Sequence, residues 1–465
     1  MAPALGWLLQ LLFCSCAQSF PTDGWFQQKL DHFSENGSPF WEQRYFINNT
    51  FYKPGGPVFL MIGGWMTIGT NWVSTDYTWI TYAERLGAFC LALEHRFYGQ
   101  SQPTGDLSTA SLRYLRSKQV LADIAYFRTE IAKKMGLIKN KWVVFGGSYG
   151  GSLAVWSRIK YPNLFAAAVS SSAPVKVKVN FYEYFEGVHS ALATHNSECS
   201  KAVKDALGQV IKLLKFPKYY RRLKNDFMLC EHLKVNSVMD STYFVENLLI
   251  FLASIIQRNK DNETIKSTPN IDDFCDKMTN TSLGSPYYRY ARIMTIRFKN
   301  GNPSCLDANY QNFLKSMSDS DLDKENIEED RQWFYQSCTE LGFFQTTHSR
   351  NHTFSGLPLR YFLSQCLGVF GSEFNYNSLT QSVQAINMYY GGFNVNGSKI
   401  IFSNGSLDPW NALGITKDIS EDLPAVFIKG GEHCADMYQQ KDTDSAELIQ
   451  AREKIFHILQ KWLKE

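Results

Sequence analysis

Residues 141–161 read KWVVFGGSYGGSLAVWSRIKY, and the apolar run Trp142–Phe145 at its start has the length and composition of a buried strand. Gly146-Gly147-Ser148-Tyr149-Gly150 is a G-x-S-x-G turn, and Leu153, Ala154, Trp156 and Ile159 fall on one face of a helix that follows it. A strand that reverses directly into a helix brings backbones close together and strains its central residue, so the flanking positions have no room for Cβ atoms. Ser148 is thereby presented at the apex of the turn. The helix start behind it offers free N–H groups and the positive end of the helix dipole, and the N–H of Tyr149 is the first donor available to a negative oxygen forming there. The competing reading, a serine in an ordinary glycine-rich loop, does not explain a strand before the motif and a helix after it.

Working outward, five further short apolar runs read as strands of the same sheet: residues 58–62, 88–93, 166–169, 399–402 and 425–428. Helical patterns such as 115–135 lie between several of them, and this alternation predicts a parallel sheet covered on both faces. Residues 445–464 carry Leu448, Ala451, Ile455, Leu459 and Trp462 at three- and four-residue spacing, the pattern of an amphipathic closing helix. From about 179 to 365 the strand-like runs give way to helix-length segments, and six of the cysteines fall between 199 and 366. The expected layout is a leader over 1–19, an α/β core over 20–178, a helical, disulfide-stapled insert over 179–365 and the rest of the core over 366–465. The insert interrupts the sheet before its last strands, which places it over the strand ends where Ser148 emerges.

Composition narrows the function classes. The chain has 465 residues, with 47 Lys and Arg against 44 Asp and Glu. A net charge of +3 without a long basic run gives no reason to expect a nucleic-acid partner. The apolar stretch 5–13, followed by Ser15-Cys16-Ala17, reads as a secretory leader and is too short to span a bilayer; the run 248–256 is also too short, so no stable membrane insertion is expected. Removal of the leader leaves eight cysteines, an even number compatible with disulfides, and no C-x-x-C pair that would suggest a metal or redox site. N-x-[ST] acceptors at Asn36, Asn48, Asn262, Asn280, Asn351 and Asn396 are glycosylation candidates in such a compartment, whereas Asn404 lies in a tight turn that a glycan would crowd. No metal or cofactor is expected, and a homodimer is left open.

A serine hydroxyl needs a base to take its proton and an acid to orient that base. In α/β-hydrolase folds these partners follow the serine in the order acid, then histidine. His433 alone among the later histidines sits in a glycine-rich loop straight after an apolar run, Gly430-Gly431-Glu432-His433. Asp408 occupies the loop after the preceding strand, where Pro409 limits the backbone and Trp410 can shield the carboxylate. An Asx-Pro turn is the bland alternative. Ser148, Asp408 and His433 are the candidate catalytic residues, with the backbone N–H groups of Tyr149 and of Gly64 or Trp65 as candidate oxyanion donors. The aromatics of the stretch 333–340, Trp333 and Tyr335 among them, suit a proline-sized pocket together with Trp410, and equally suit the core of the insert.

GGSYGGS, LEHRFYGQS, DRQWFYQSCTELGF, FSNGSLDPW and GGEHCADM, taken in this order, resemble the serine peptidase family that includes lysosomal prolyl carboxypeptidase and dipeptidyl peptidase II. The resemblance covers essentially the whole mature chain. It implies an α/β-hydrolase core with a helical insert, a lysosomal, endosomal or secreted location and peptide substrates, often cleaved after proline. It carries the triad onto Ser148, Asp408 and His433, and it supports joining Cys338 to Cys366, which bracket one loop. The chain departs from the family at Gly63-Gly64-Trp65-Met66, where a glutamate often stands in place of Trp65. A carboxylate there would anchor a substrate's N-terminal amine, so dipeptidyl-peptidase specificity is not carried over. A carboxylic-ester hydrolase and a catalytically silent binding protein of the same fold are the alternatives to a peptidase.

Overall fold

The computed structural model describes residues 21–257, 269–299, 304–322, 329–351 and 354–465; the leader at 1–19 and Asn262 lie outside them. Its main sheet has eight strands in the order β1-β2-β4-β3-β5-β6-β9-β10. These are β1 Thr22–Lys29, β2 Phe40–Asn48, β3 Val58–Ile62, β4 Phe89–Leu93, β5 Trp142–Gly147, β6 Ala167–Ser171, β9 Ile400–Gly405 and β10 Ala425–Ile428, while β7 Lys178–Asn180 and β8 Gly342–Phe344 form a separate small pair. All six strands expected from sequence are present and run parallel to one another. The hairpin β1–β2 adds an antiparallel edge that the apolar runs did not reveal.

The period-two geometry of a strand explains why these segments are apolar throughout. Along β3, Val58, Leu60 and Ile62 point into one core with Phe127, Leu153 and Trp156, whereas Phe59 and Met61 point into a second core with Trp79, Ile455 and Leu459. The closing helix Ala446–Lys464 seals that second core through the stripe read from sequence. Functional loops are left to the C-terminal strand ends.

Between β6 and β9 the chain is mainly helical. The helices continue through Leu359–Phe370 and Tyr376–Tyr390, beyond the boundary at 365 drawn from composition. Disulfides Cys199–Cys275, Cys230–Cys305 and Cys338–Cys366 staple this region, and Cys90 and Cys434 are free and buried. The apolar run 248–256 belongs to a longer helix, Val238–Gln257. It is long and apolar enough to cross a membrane, but 67% of its most apolar window is buried inside the protein, so it serves as a core helix of the insert.

Of the glycosylation candidates, Asn36, Asn280, Asn351 and Asn396 are exposed. Asn48 is a correction: it is buried at the end of β2, and its amide nitrogen donates to the Val73 carbonyl at 2.7 Å, leaving no room for a glycan. Asn404 is likewise buried, with its amide nitrogen on the Ile415 carbonyl at 2.8 Å.

Candidate active site

Ser148 opens the helix Ser148–Lys160 straight after β5 and has φ 53°, in the left-handed region that is strained for any residue with a side chain. The turn is held tight by its glycines. A Cβ on Gly146 would lie 2.2 Å from the Gly150 carbonyl oxygen, and one on Gly150 would lie 2.7 Å from that of Ile62. Gly64 backs onto the same elbow, where an added Cβ would stand 3.3 Å from the Gly150 nitrogen. The loop after β3 therefore runs against the start of the elbow helix, and Gly64 and Trp65 line the same cavity as Ser148.

Asp408 and His433 come from the loops after β9 and β10, which are zipped together. Leu407 N donates to the Gly431 carbonyl and Ser406 N to that of Ile428, both at 2.9 Å. Asp408 is buried and caps a short helical turn, accepting from Trp410 N at 2.9 Å. Both of its carboxylate oxygens lie 3.0 Å from His433 Nδ1. Burial alone would lower the imidazole pKa, but the Asp408 charge and the hydrogen bonds His433 makes to Asp408 and Cys434 outweigh it and hold His433 well above the usual 6.5. Ser148 and His433 line one cavity of about 870 Å³, walled by Trp65, Met66, Trp72, Tyr77 and Tyr438, with Gln257 reaching in from the insert. Among the described residues, no three His, Cys, Asp or Glu side chains are grouped so as to hold a metal ion.

The aromatic residues assigned to a substrate pocket fare differently. Tyr335 is a correction: it is 2% exposed and packs on Phe370 and Phe374, in the core of the insert. Trp333 does not line the cavity; it packs against Trp65, which does, and against Tyr149. Trp410 does not line the cavity either: it is buried beside the candidate base, its ring 6.3 Å from that of His433 and its Nε1 donating to Gln257 at 3.2 Å.

Straight after β4, Glu94, His95 and Arg96 each find separate partners. Arg96 is fully buried and pairs with Asp123 through two contacts of 2.6 Å. Glu94 instead accepts hydrogen bonds from Ser101 Oγ at 2.7 Å, Gln100 N at 3.1 Å and Ile68 N at 3.4 Å, and burial pushes its carboxyl up to about 7. Burial lowers His95 to about 4, its Nδ1 bonded to the Arg96 carbonyl. Sequence reading missed Asp123, which sits on a helix far along the chain, and Cys434, which lines the cavity beside His433. No local pattern marks Asp123, while Cys434 stands in the stretch GGEHCADM without a role assigned to it there.

With this geometry in place, comparisons place the chain among known proteins. The family model for serine carboxypeptidase S28 matches residues 28–455. The chain is 36% identical over 449 residues to the Caenorhabditis elegans protein K12H4.7, covering 94% of this chain and 87% of that one. It is 34% identical over 459 residues to mouse thymus-specific serine protease, covering 96% and 88%. It is 27% identical over 454 residues to human lysosomal Pro-X carboxypeptidase, covering 95% and 88%.

Proposed function

The chain belongs to the serine carboxypeptidase S28 family and is a serine peptidase; on that premise we propose that it hydrolyses short peptides through Ser148, His433 and Asp408, with proline before the scissile bond as the first preference. The observation that carries the site is the Asp408–His433 pair at 3.0 Å, on the cavity that the strained Ser148 also lines. With Nδ1 held by Asp408, Nε2 is the nitrogen left to exchange protons with the serine.

In the acylation step, Ser148 Oγ attacks the peptide carbonyl and its proton passes to His433 Nε2. The carbonyl electrons move onto oxygen, where the N–H groups of Tyr149 and of Gly64 or Trp65 receive the charge. The C–N bond breaks as His433 returns its proton to the leaving amine, leaving an ester on Ser148. Water then adds to the ester carbonyl, giving a proton to His433, and the C–O bond to Ser148 breaks as His433 returns that proton to Ser148 Oγ and the acid is released. Asp408 keeps its negative charge throughout, holding the imidazole in one tautomer and stabilising the imidazolium.

The proline preference draws on the name of the Pro-X carboxypeptidase relative. For location we propose the secretory pathway, ending in lysosome, endosome or the extracellular space. Three disulfides and four exposed glycosylation acceptors support this reading.

A peptide brings backbone hydrogen bonds and charged ends that a simple ester lacks, and a peptidase draws on them in the transition state. Turnover of a diverse short-peptide library, read by mass spectrometry beside a panel of acyl esters, tests the proposal. Cuts after proline with slow ester turnover are expected. Rapid hydrolysis of long-chain esters with no peptide cut would overturn it, and cuts without proline preference would remove the specificity alone.

A further inference from the structure

The two candidate oxyanion donors come from separate parts of the core, yet one short helix of the insert, Asp330–Gln336, holds both of the segments that carry them. Just before its first turn, Glu329 Oε2 accepts from Thr67 N at 2.8 Å, while Oε1 accepts from Thr67 Oγ1 at 2.5 Å and from Gly99 N at 2.8 Å. Four residues on, the Trp333 ring lies 6.0 Å from Trp65 and 5.6 Å from Tyr149. Three residues further, the fully buried Gln336 donates from Nε2 to the Tyr149 hydroxyl at 2.9 Å and accepts from the Tyr98 hydroxyl at 2.6 Å. Spacings of four and three residues put all three side chains on one face of the helix.

We propose that the insert helix Asp330–Gln336 positions the oxyanion hole: Glu329 fixes the Gly64–Thr67 loop, Gln336 fixes Tyr149, and Trp333 fills the space between them. This rests on the reading of Ser148 as nucleophile with Tyr149 and Gly64 or Trp65 as donors. The physical need is positional. A donor works only when it stands within hydrogen-bond distance of where the oxyanion forms, and an error near 1 Å costs on the order of a hundredfold in rate. A surface loop after a strand does not hold such a position unaided. Hydrogen bonds to a charged carboxylate are about twice as strong as neutral ones, and Glu329 makes two of them with the loop itself. Neither Glu329 nor Gln336 touches the reacting atoms, so both are positioning residues. This role also accounts for the stretch DRQWFYQ, which the proposed catalytic steps leave without a task.

The test compares wild type with Glu329→Ala and with Tyr149→Phe, which deletes only the hydroxyl that Gln336 holds. Three readouts are taken: kcat and KM on one peptide, affinity for a peptide aldehyde that forms a tetrahedral adduct on the serine, and labelling of wild type by a fluorophosphonate. The expected result is a fall in kcat of roughly ten- to a hundredfold with KM nearly unchanged, matched by a similar loss of aldehyde affinity. Should Glu329→Ala fail to fold, Tyr149→Phe alone decides, because it keeps the buried ring in place. Unchanged kcat in the folded variants, or a change confined to KM, would overturn the proposal. Wild type labelled away from Ser148 would instead overturn the catalytic reading on which it stands.

Discussion

Asp408 touches His433 with both carboxylate oxygens and is shielded from water, so its charge acts on the imidazole at close range. Two consequences follow for Asp408→Asn. The variant loses the group that fixes the tautomer, which in serine triads costs roughly ten-thousandfold in kcat. It also loses the charge that holds His433 well above 6.5. Because the free enzyme needs a neutral imidazole, kcat/KM of wild type should rise with pH along a limb lying above that value, and the limb should move to lower pH in Asp408→Asn. A pH–rate profile of both proteins checks it; a wild-type limb below 6.5 would contradict the pairing. Ser148, Asp408 and His433 could be picked out as candidates from the sequence because each stands in a short glycine- or proline-marked loop whose chain order is restrictive. Glu329, Gln336 and Asp123 could not, since their partners lie 262, 187 and 27 residues away and no local spacing announces a contact across such distances.

At the scale of elements, the buried parallel strands announced themselves as continuous apolar runs. The hairpin β1–β2 did not. Its segments TDGWFQQK and FWEQRYFIN mix polar and apolar side chains, and β1 lies at the sheet edge with half of its residues exposed, so neither gives a long apolar run. Cys338–Cys366 closes a separation of 28 residues and ties the turn after the helix Asp330–Gln336 to Leu359–Phe370. In the chain-entropy description such a loop contributes about 3.5 kcal/mol. Replacing both cysteines by serine should therefore lower the denaturant midpoint substantially and, because the bridge adjoins the proposed positioning helix, reduce kcat before the protein unfolds. A variant with unchanged midpoint and rate would show that the bridge constrains neither.

For the whole molecule, the insert shares one continuous apolar core with a face of the sheet, which is why its boundary could not be placed by composition alone. The fold also buries titratable groups. Glu94, ordinarily near 4.5, is raised to about 7, so between those values the native state binds more protons than the unfolded chain and its contribution to stability falls as pH rises. The shift corresponds to about 3 kcal/mol at most. His95, lowered to about 4, acts in the opposite direction over much of the same range, so the wild-type curve by itself does not isolate Glu94. The difference does: Glu94→Gln should gain on wild type in Tm between pH 5 and pH 7.5, and a constant difference would mean that Glu94 is not held protonated by burial. The measurement closest to the catalytic centre is mass-spectrometric mapping of a fluorophosphonate adduct on the folded protein, alongside peptide turnover by Ser148→Ala. One adduct on Ser148, with both labelling and peptide cleavage abolished in the variant, is the expected result, whereas an adduct elsewhere or undiminished cleavage by Ser148→Ala would contradict it.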